Sequence, residues 1–247
     1  MTEQIKKLKE LVDGSDNIVF FGGAGVSTES GIPDFRSTDG LYHQQWDYPP
    51  EVILSHTFYE SNPEAFFRFY RAKMLAPDAQ PNDAHRKLAQ WEQEGKLKAV
   101  ITQNIDGLHQ AAGSKRVLEL HGSVHRNYCV RCHKPYGLDA ILQSEGVPRC
   151  ACGGIIKPDV VLYEEPLDEA TVNEAVRCIG QSDLLIVAGT SLTVWPAAGL
   201  LEYFKGDRLV VINPSQTAAE ERAQLVLHRP VGEVMGQIVV RQSGKGA

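Results

Sequence analysis

No stretch of this 247-residue chain is long and apolar enough to cross a bilayer; its longest hydrophobic runs, such as residues 184–187, have the length of a strand. The opening residues offer no secretion signal, because Glu3, Lys6, Lys7 and Glu10 interrupt any apolar core such a signal needs. Positive charge is not in excess either. With 25 Lys and Arg against 31 Asp and Glu, the net charge of −6 provides no field to hold a polyanion, so neither a membrane nor direct nucleic-acid binding is expected. Cysteine is sparse: five residues, an odd number, exclude a disulfide framework. They point to a reducing, cytoplasmic setting in which thiols serve a metal or a reaction.

What is present is the balance of an ordinary globular protein, 43% hydrophobic and 23% charged, at a length that suits one large domain carrying a smaller insertion. Ile5, Leu8, Leu11 and Val12 recur at helical spacing, and Ile18-Val19-Phe20-Phe21 then runs into Gly22-Gly23-Ala24-Gly25. Strand-like runs follow at 99–102, 117–120, 160–162, 184–188 and 209–212, with helical patterns at 82–94, 169–179 and 197–204. Buried strands alternating with helices predict an α/β fold, a parallel sheet with helices on both faces. Two stretches break the rhythm: residues 37–82, with one helical pattern at 63–74, and residues 125–158, which hold four cysteines. The expected division is 1–36, 82–124 and 158–247 for the sheet domain, and 37–81 and 125–157 for the smaller inserted domain.

Cys129-Val-Arg-Cys132, followed after 17 residues by Cys150-Ala-Cys152, approaches the two-knuckle spacing of a structural zinc ribbon. Four thiolates satisfy tetrahedral Zn²⁺ and leave no position open for chemistry. The second knuckle is one residue short, and Gly153-Gly154 allows the tight backbone that would bring both sulfurs to one ion. Unmetallated buried thiols, or a redox Cys-x-x-Cys, are the other readings. His125 and His133 are expected in solvent, and Cys178, on a helical pattern, as a packed apolar group.

The glycine turn after residue 21, read as lying between a strand and a helix, offers backbone N–H groups and the helix's positive end to a pyrophosphate. Gly23-x-Gly25 fits two positions of the dinucleotide fingerprint, yet Thr28 stands where the third glycine belongs. No acidic strand end follows about 20 residues later, as a dehydrogenase needs. Three segments are more informative together: Gly23 to Arg36 with Gly31-Ile32-Pro33-Asp34-Phe35-Arg36, then Thr102-Gln103-Asn104-Ile105-Asp106-Gly107-Leu108-His109, then Leu120-His121-Gly122. Each begins at or just past the carboxyl end of a predicted parallel strand, the edge where open α/β sheets bind ligands. No Ser or Cys has a base beside it for acyl-enzyme chemistry. The reaction is therefore expected between bound ligands, with the protein supplying a base and positioning.

These segments, the cysteine quartet, Gly189-Thr190-Ser191 and Ile212-Asn213-Pro214-Ser215 together resemble the sirtuins, NAD-dependent protein lysine deacylases, over nearly the whole chain. The resemblance makes the sheet a Rossmann-like NAD-binding domain and the insertion a domain containing a zinc ribbon, with one structural Zn²⁺ on Cys129, Cys132, Cys150 and Cys152. It implies that NAD is consumed: nicotinamide leaves, the acyl-lysine oxygen captures the ribose to give an alkylimidate, and O-acyl-ADP-ribose and free lysine are released. His121 is then the general base, and Asn104 orients the ribose or an ordered water. Ala24, Thr28, Phe35, Arg36 and Gln103 line the cofactor. Ile105 and Asp106 hold the carboxamide of nicotinamide, a product and inhibitor, and Thr190, Ser191, Asn213 and Val231 lie on the adenosine side. The acetyl-lysine protein or peptide is expected as an extended strand along residues 160–163 and 194–195. The family's Phe-Gly-Glu is here Tyr163-Glu164-Glu165. Relatives that prefer acidic acyl groups resemble one another in a Tyr-x-x-Arg pair; Tyr70 is in place but Lys73 replaces the arginine, which implies a preference for acetyl-lysine. A mono-ADP-ribosyltransferase or a deacylase for acidic or longer acyl groups would use the same NAD site, and a zinc-containing binding module without turnover is the third class.

Overall fold

Phe20 and Phe21 are neighbours in one strand yet face opposite ways, and that alternation organises the molecule. The computed structural model describes residues 2–34 and 48–238. Helix α1 (Glu3–Asp13) is capped by Thr2 and buries Ile5, Leu8 and Val12. It leads into β1 (Ile18–Gly22), every residue of which is buried. After α2 (Pro50–Ile53), α3 (His56–Ser61), α4 (Pro63–Lys73) and α5 (Asp83–Gln93), β2 (Leu97–Thr102) pairs in parallel with β1, and beyond α6 (Leu108–Ala111), β3 (Val117–Glu119) pairs with β2.

The chain then leaves this sheet for a second one. Strand β4 (Gly122–Cys129) is flanked by β5 (Pro135–Tyr136) and β6 (Ile156–Val160), both antiparallel to it, with α7 (Asp139–Leu142) between them. Helix α8 (Glu169–Gln181) returns the chain to β7 (Leu184–Ala188), β8 (Leu209–Ile212) and β9 (Leu225–Leu227), each parallel to its neighbour. Helix α9 (Val231–Gly236) is the last element among the described residues. The parallel sheet therefore has the order β3-β2-β1-β7-β8-β9. The order reverses beside β1, and such a switch point opens a crevice at the carboxyl ends of β1 and β7.

One face of the sheet, with Ile18, Phe20, Val100, Ile186 and Val210, packs on α1, α5 and α9; the other, with Val19, Phe21, Ile101, Leu185 and Val187, packs on α8 and on residues 197–204. A third cluster joins α2, α3 and α4 to the small sheet through Phe66, Tyr70, Val124, Cys129 and Val160.

Three expectations need correction. The run 160–162 does not form a strand of the parallel sheet: Val160 ends β6 of the small antiparallel sheet, opposite Gly122. A three-residue apolar run carries no mark of which sheet it joins. The glycine turn is followed not by an α-helix but by two 3₁₀ turns, Ala24–Val26 and Thr28–Ser30, with Ser27 between them. Residues 197–203 are likewise 3₁₀ rather than α-helical.

Candidate active site

The crevice is walled by backbone packed too closely for side chains. A Cβ on Gly25 would stand 2.8 Å from the Gly189 Cα, and Gly25 N–H donates to the Gly189 carbonyl at 2.8 Å. Gly189 itself has φ 59°, a conformation glycine adopts freely. Ala24 and Thr28 sit on this turn, Thr28 Oγ1 donating to the Gly25 carbonyl at 3.1 Å. Phe35 and Arg36 lie outside the described residues.

From the end of β2, Gln103 donates its Nε2 to Thr190 Oγ1 at 3.0 Å, tying the two sides of the crevice together. Asn104 Nδ2 donates to Ser27 Oγ at 3.1 Å, and Ser27 Oγ donates to Asp106 Oδ2 at 2.6 Å. The other carboxylate oxygen of Asp106 accepts from Leu108 N at 2.9 Å, so Asn104 and Asp106 are locked through a buried serine. Reading by motif named both residues but not Ser27; its place in Gly23-Ala24-Gly25-Val26-Ser27 was the available signal. His125 is exposed, as expected, but also makes a contact that motif reading does not show. Its Nε2 lies 3.0 Å from the Asp106 carbonyl oxygen and its ring covers Gly107, so the small sheet holds the loop that carries Asp106.

His121 follows β3, where the chain passes from one sheet to the other. Its Nδ1 lies 2.9 Å from the Gln103 carbonyl, which can only accept, so Nδ1 carries the proton and Nε2 is left as the acceptor. Burial lowers its pKa below the usual 6.5, opposed by the hydrogen bond to Gln103. The imidazole is thus neutral at pH 7 and able to take a proton. The carbonyl of His121 accepts from Val161 N at 3.0 Å, which joins it to the segment at 160–163.

Thr190 is buried, and Ser191 Oγ is 2.9 Å from Thr193 Oγ1. Asn213 lies at the end of β8 and donates its Nδ2 to the Ser215 carbonyl at 2.7 Å. Val231 is a fully buried core residue at the start of α9, in the same cluster as Val26 of the glycine turn. Ile105 accepts from Val124 N at 3.0 Å through its carbonyl. Of the segment expected to meet a second chain, Tyr163 is exposed and Trp195 is 72% exposed.

The four sulfurs of Cys129, Cys132, Cys150 and Cys152 all lie within 4.8 Å of one another, with Cys129–Cys152 at 3.4 Å and Cys132–Cys150 at 3.6 Å. Thiolates about 2.3 Å from a tetrahedral zinc stand about 3.8 Å apart, so the quartet fits one ion. The shortened knuckle closes because Gly154 lies against Cys129: a Cβ there would fall 2.6 Å from its sulfur. The Cys152 backbone N–H and the Tyr136 hydroxyl hold the Cys150 thiol down to about 6, favouring the thiolate a metal needs. Among the described residues no helix is long and apolar enough to cross a membrane.

A sequence profile described as "Sir2 family" matches residues 23–196. A protein of Clostridium perfringens (strain 13 / Type A) named "NAD-dependent protein deacetylase" is 58% identical over 243 residues, covering 97% of this chain and all of that protein. A solved structure described as "Structural Basis for the Mechanism and Regulation of Sir2 Enzymes" superposes with a TM-score of 0.87 at 41% identity, over 97% of each chain. Another, a Sir2 histidine-to-alanine variant with deacetylated p53 peptide and 3′-O-acetyl ADP ribose, gives 0.87 at 40% identity over 94% of this chain and 96% of the other.

Proposed function

The chain belongs to the Sir2 family, and from that membership we infer that it is an NAD-dependent protein lysine deacetylase, transferring the acetyl group of acetyl-lysine to ADP-ribose with release of nicotinamide. NAD supplies the ADP-ribosyl acceptor. Everything else falls to this chain's residues. The turn at Gly23, Ala24 and Gly25 meets the phosphates, with Thr28 and Gln103 beside it, and Phe35 and Arg36 are assigned to the same cofactor. Asn104 orients the ribose; Asp106 and Ile105 hold the carboxamide; Thr190, Ser191, Asn213 and Val231 serve the adenosine side. The quartet of Cys129, Cys132, Cys150 and Cys152 holds one zinc whose role is structural, because four thiolates leave it no open position.

The observation that carries the catalytic assignment is the 2.9 Å contact between His121 Nδ1 and the Gln103 carbonyl. The imidazole's Nδ1–H is fixed on the Gln103 carbonyl, so the unprotonated Nε2 is the base that takes a proton from a ribose hydroxyl. Acetyl-lysine proteins bind as an extended strand along residues 160–163 and 194–195, where main-chain pairing gives affinity with little sequence preference. Lys73 in place of arginine supports acetyl over acidic acyl groups. Free cysteines accord with a cytoplasmic setting. The test is incubation with NAD and an acetyl-lysine peptide, followed by mass spectrometry. Deacetylated peptide with O-acetyl-ADP-ribose is the expected result; ADP-ribose left covalently on protein, without deacetylation, overturns the reading in favour of mono-ADP-ribosyl transfer.

A further inference from the structure

Three non-glycine residues among those described adopt a left-handed backbone, and one of them, Glu164 at φ 77°, follows directly on the segment at 160–163. A side chain is crowded in that conformation, which glycine adopts without cost, so a glutamate there calls for a compensating interaction. The structure supplies one. Oε2 of Glu164 accepts from the Thr57 backbone N–H at 2.9 Å and from Thr57 Oγ1 at 2.7 Å. Thr57 N belongs to the first turn of α3, where amides have no partner within the helix.

The neighbours of Glu164 point the same way. Tyr163 N donates to the Leu54 carbonyl, and His56 N donates to the Tyr163 carbonyl, each at 3.0 Å. Glu165 lies 2.8 Å from His56 Nδ1, and its other oxygen accepts from Leu162 N at 2.9 Å and from Lys157 Nζ at 3.1 Å. The segment is therefore fastened on one flank to His121, through Val161, and on the other to the start of α3.

We propose that Glu164 fastens the segment at 160–163, which continues from the end of β6, to α3 and is thereby a positioning residue for the acyl-lysine peptide, an inference that rests on the deacetylase reading above. An incoming peptide pairs with backbone, and a segment ordered in advance spares the complex the entropy of ordering it. Glu164 is bonded to Thr57 and is not among the residues assigned to NAD or to the chemical step. Its loss acts on peptide affinity and leaves the chemical step alone.

The experiment compares E164A, E164G, E164Q and T57V in steady-state kinetics with one acetyl-lysine peptide and NAD. E164A and E164G should raise the peptide KM about five-fold, with kcat and the NAD KM within about two-fold of the parent, because a charge-assisted pair of hydrogen bonds is lost. E164Q keeps a carbonyl acceptor and should restore most of the affinity. T57V should raise KM less and add nothing on top of E164A, as expected of residues acting through one contact. Amide exchange at His56 and Tyr163 should quicken in E164A. E164G separates the two effects at this position, since it relieves the backbone cost while deleting the fastening: a peptide KM equal to the parent's, or a lowered melting temperature with unchanged KM, overturns the proposal. Absence of deacetylation by the unaltered enzyme would sink the deacetylase reading instead, and exchange at Tyr163 would still decide whether Glu164 fastens the segment.

Discussion

A single hydrogen bond, from His121 Nδ1 to the Gln103 carbonyl, decides which nitrogen of the proposed base is available. His121→Ala should lower NAD-dependent deacetylation by about 10²–10⁴ while far-UV circular dichroism and NAD binding persist, since removing a positioned base costs that much. Turnover near the parent's would end the assignment. Burial lowers this imidazole's pKa, and the base acts in its neutral form. kcat/KM should therefore be level across neutral pH and fall only as pH drops through a midpoint below 6.5; a midpoint above 6.5 would show that burial does not govern it. At this scale the sequence was most readable where motif and strand end coincide, as at His121, Asn104 and Asp106. Ser27 was not, because a serine earns notice only once Asn104 and Asp106 are seen to meet on it, 79 residues from Asp106 along the chain. His125 is exposed, as the sequence suggested, but its contact with the loop at Gly107 was not legible for the same reason.

The small sheet depends on the quartet in a way the lengths of its strands make plain. Strand β5 has only two residues, and Cys129 ends β4 while Cys150 and Cys152 precede β6, so the quartet ties together the ends of a three-stranded sheet with one very short edge. A closed thiolate site contributes folding energy outright. Metal analysis should return one zinc per chain, and Cys152→Ala or strong chelation should speed amide exchange across residues 122–160 while residues 184–188 stay protected. Well under one equivalent of zinc in protein purified without chelator would contradict this. Periodicity made α1, α5 and α8 readable, since each shows apolar residues on one face only. It failed for 160–162 and for the turns after Gly23. Sheet membership depends on partners far away in sequence, and Ser27 with Gly31 at φ 82° cuts the path into short turns that composition does not distinguish from a helix start.

Taken whole, the molecule buries two imidazoles beside one another under the crevice. His85 and His109 have ring centroids 4.7 Å apart; burial lowers His85 to about 4 and His109 to about 3, the latter further depressed by His85. Both are neutral in the folded state, whereas the unfolded chain protonates them near 6.5. The unfolded state thus binds more protons below that pH, so stability is complete above 6.5 and declines as pH falls toward 4, by up to about 1.4 kcal/mol per pH unit for each imidazole. Denaturant midpoints between pH 7 and pH 5 should show this slope, and His109→Phe should flatten it; an unchanged slope would mean other groups drive acid unfolding. The α/β class was legible because a strand buried on both faces reads as a continuous apolar run, but the strand order was not, for it is written in pairings rather than in any one segment. That order also sets a timetable. Strand β1 pairs on one side with β7, so Gly25 meets Gly189 only after most of the chain has been made. At ribosomal speeds of about 5–20 residues per second, roughly 10–30 s separate the synthesis of these two glycines. A nascent chain halted before β7 would hold the glycine turn, Asn104 and His121 already, and should still fail to retain NAD.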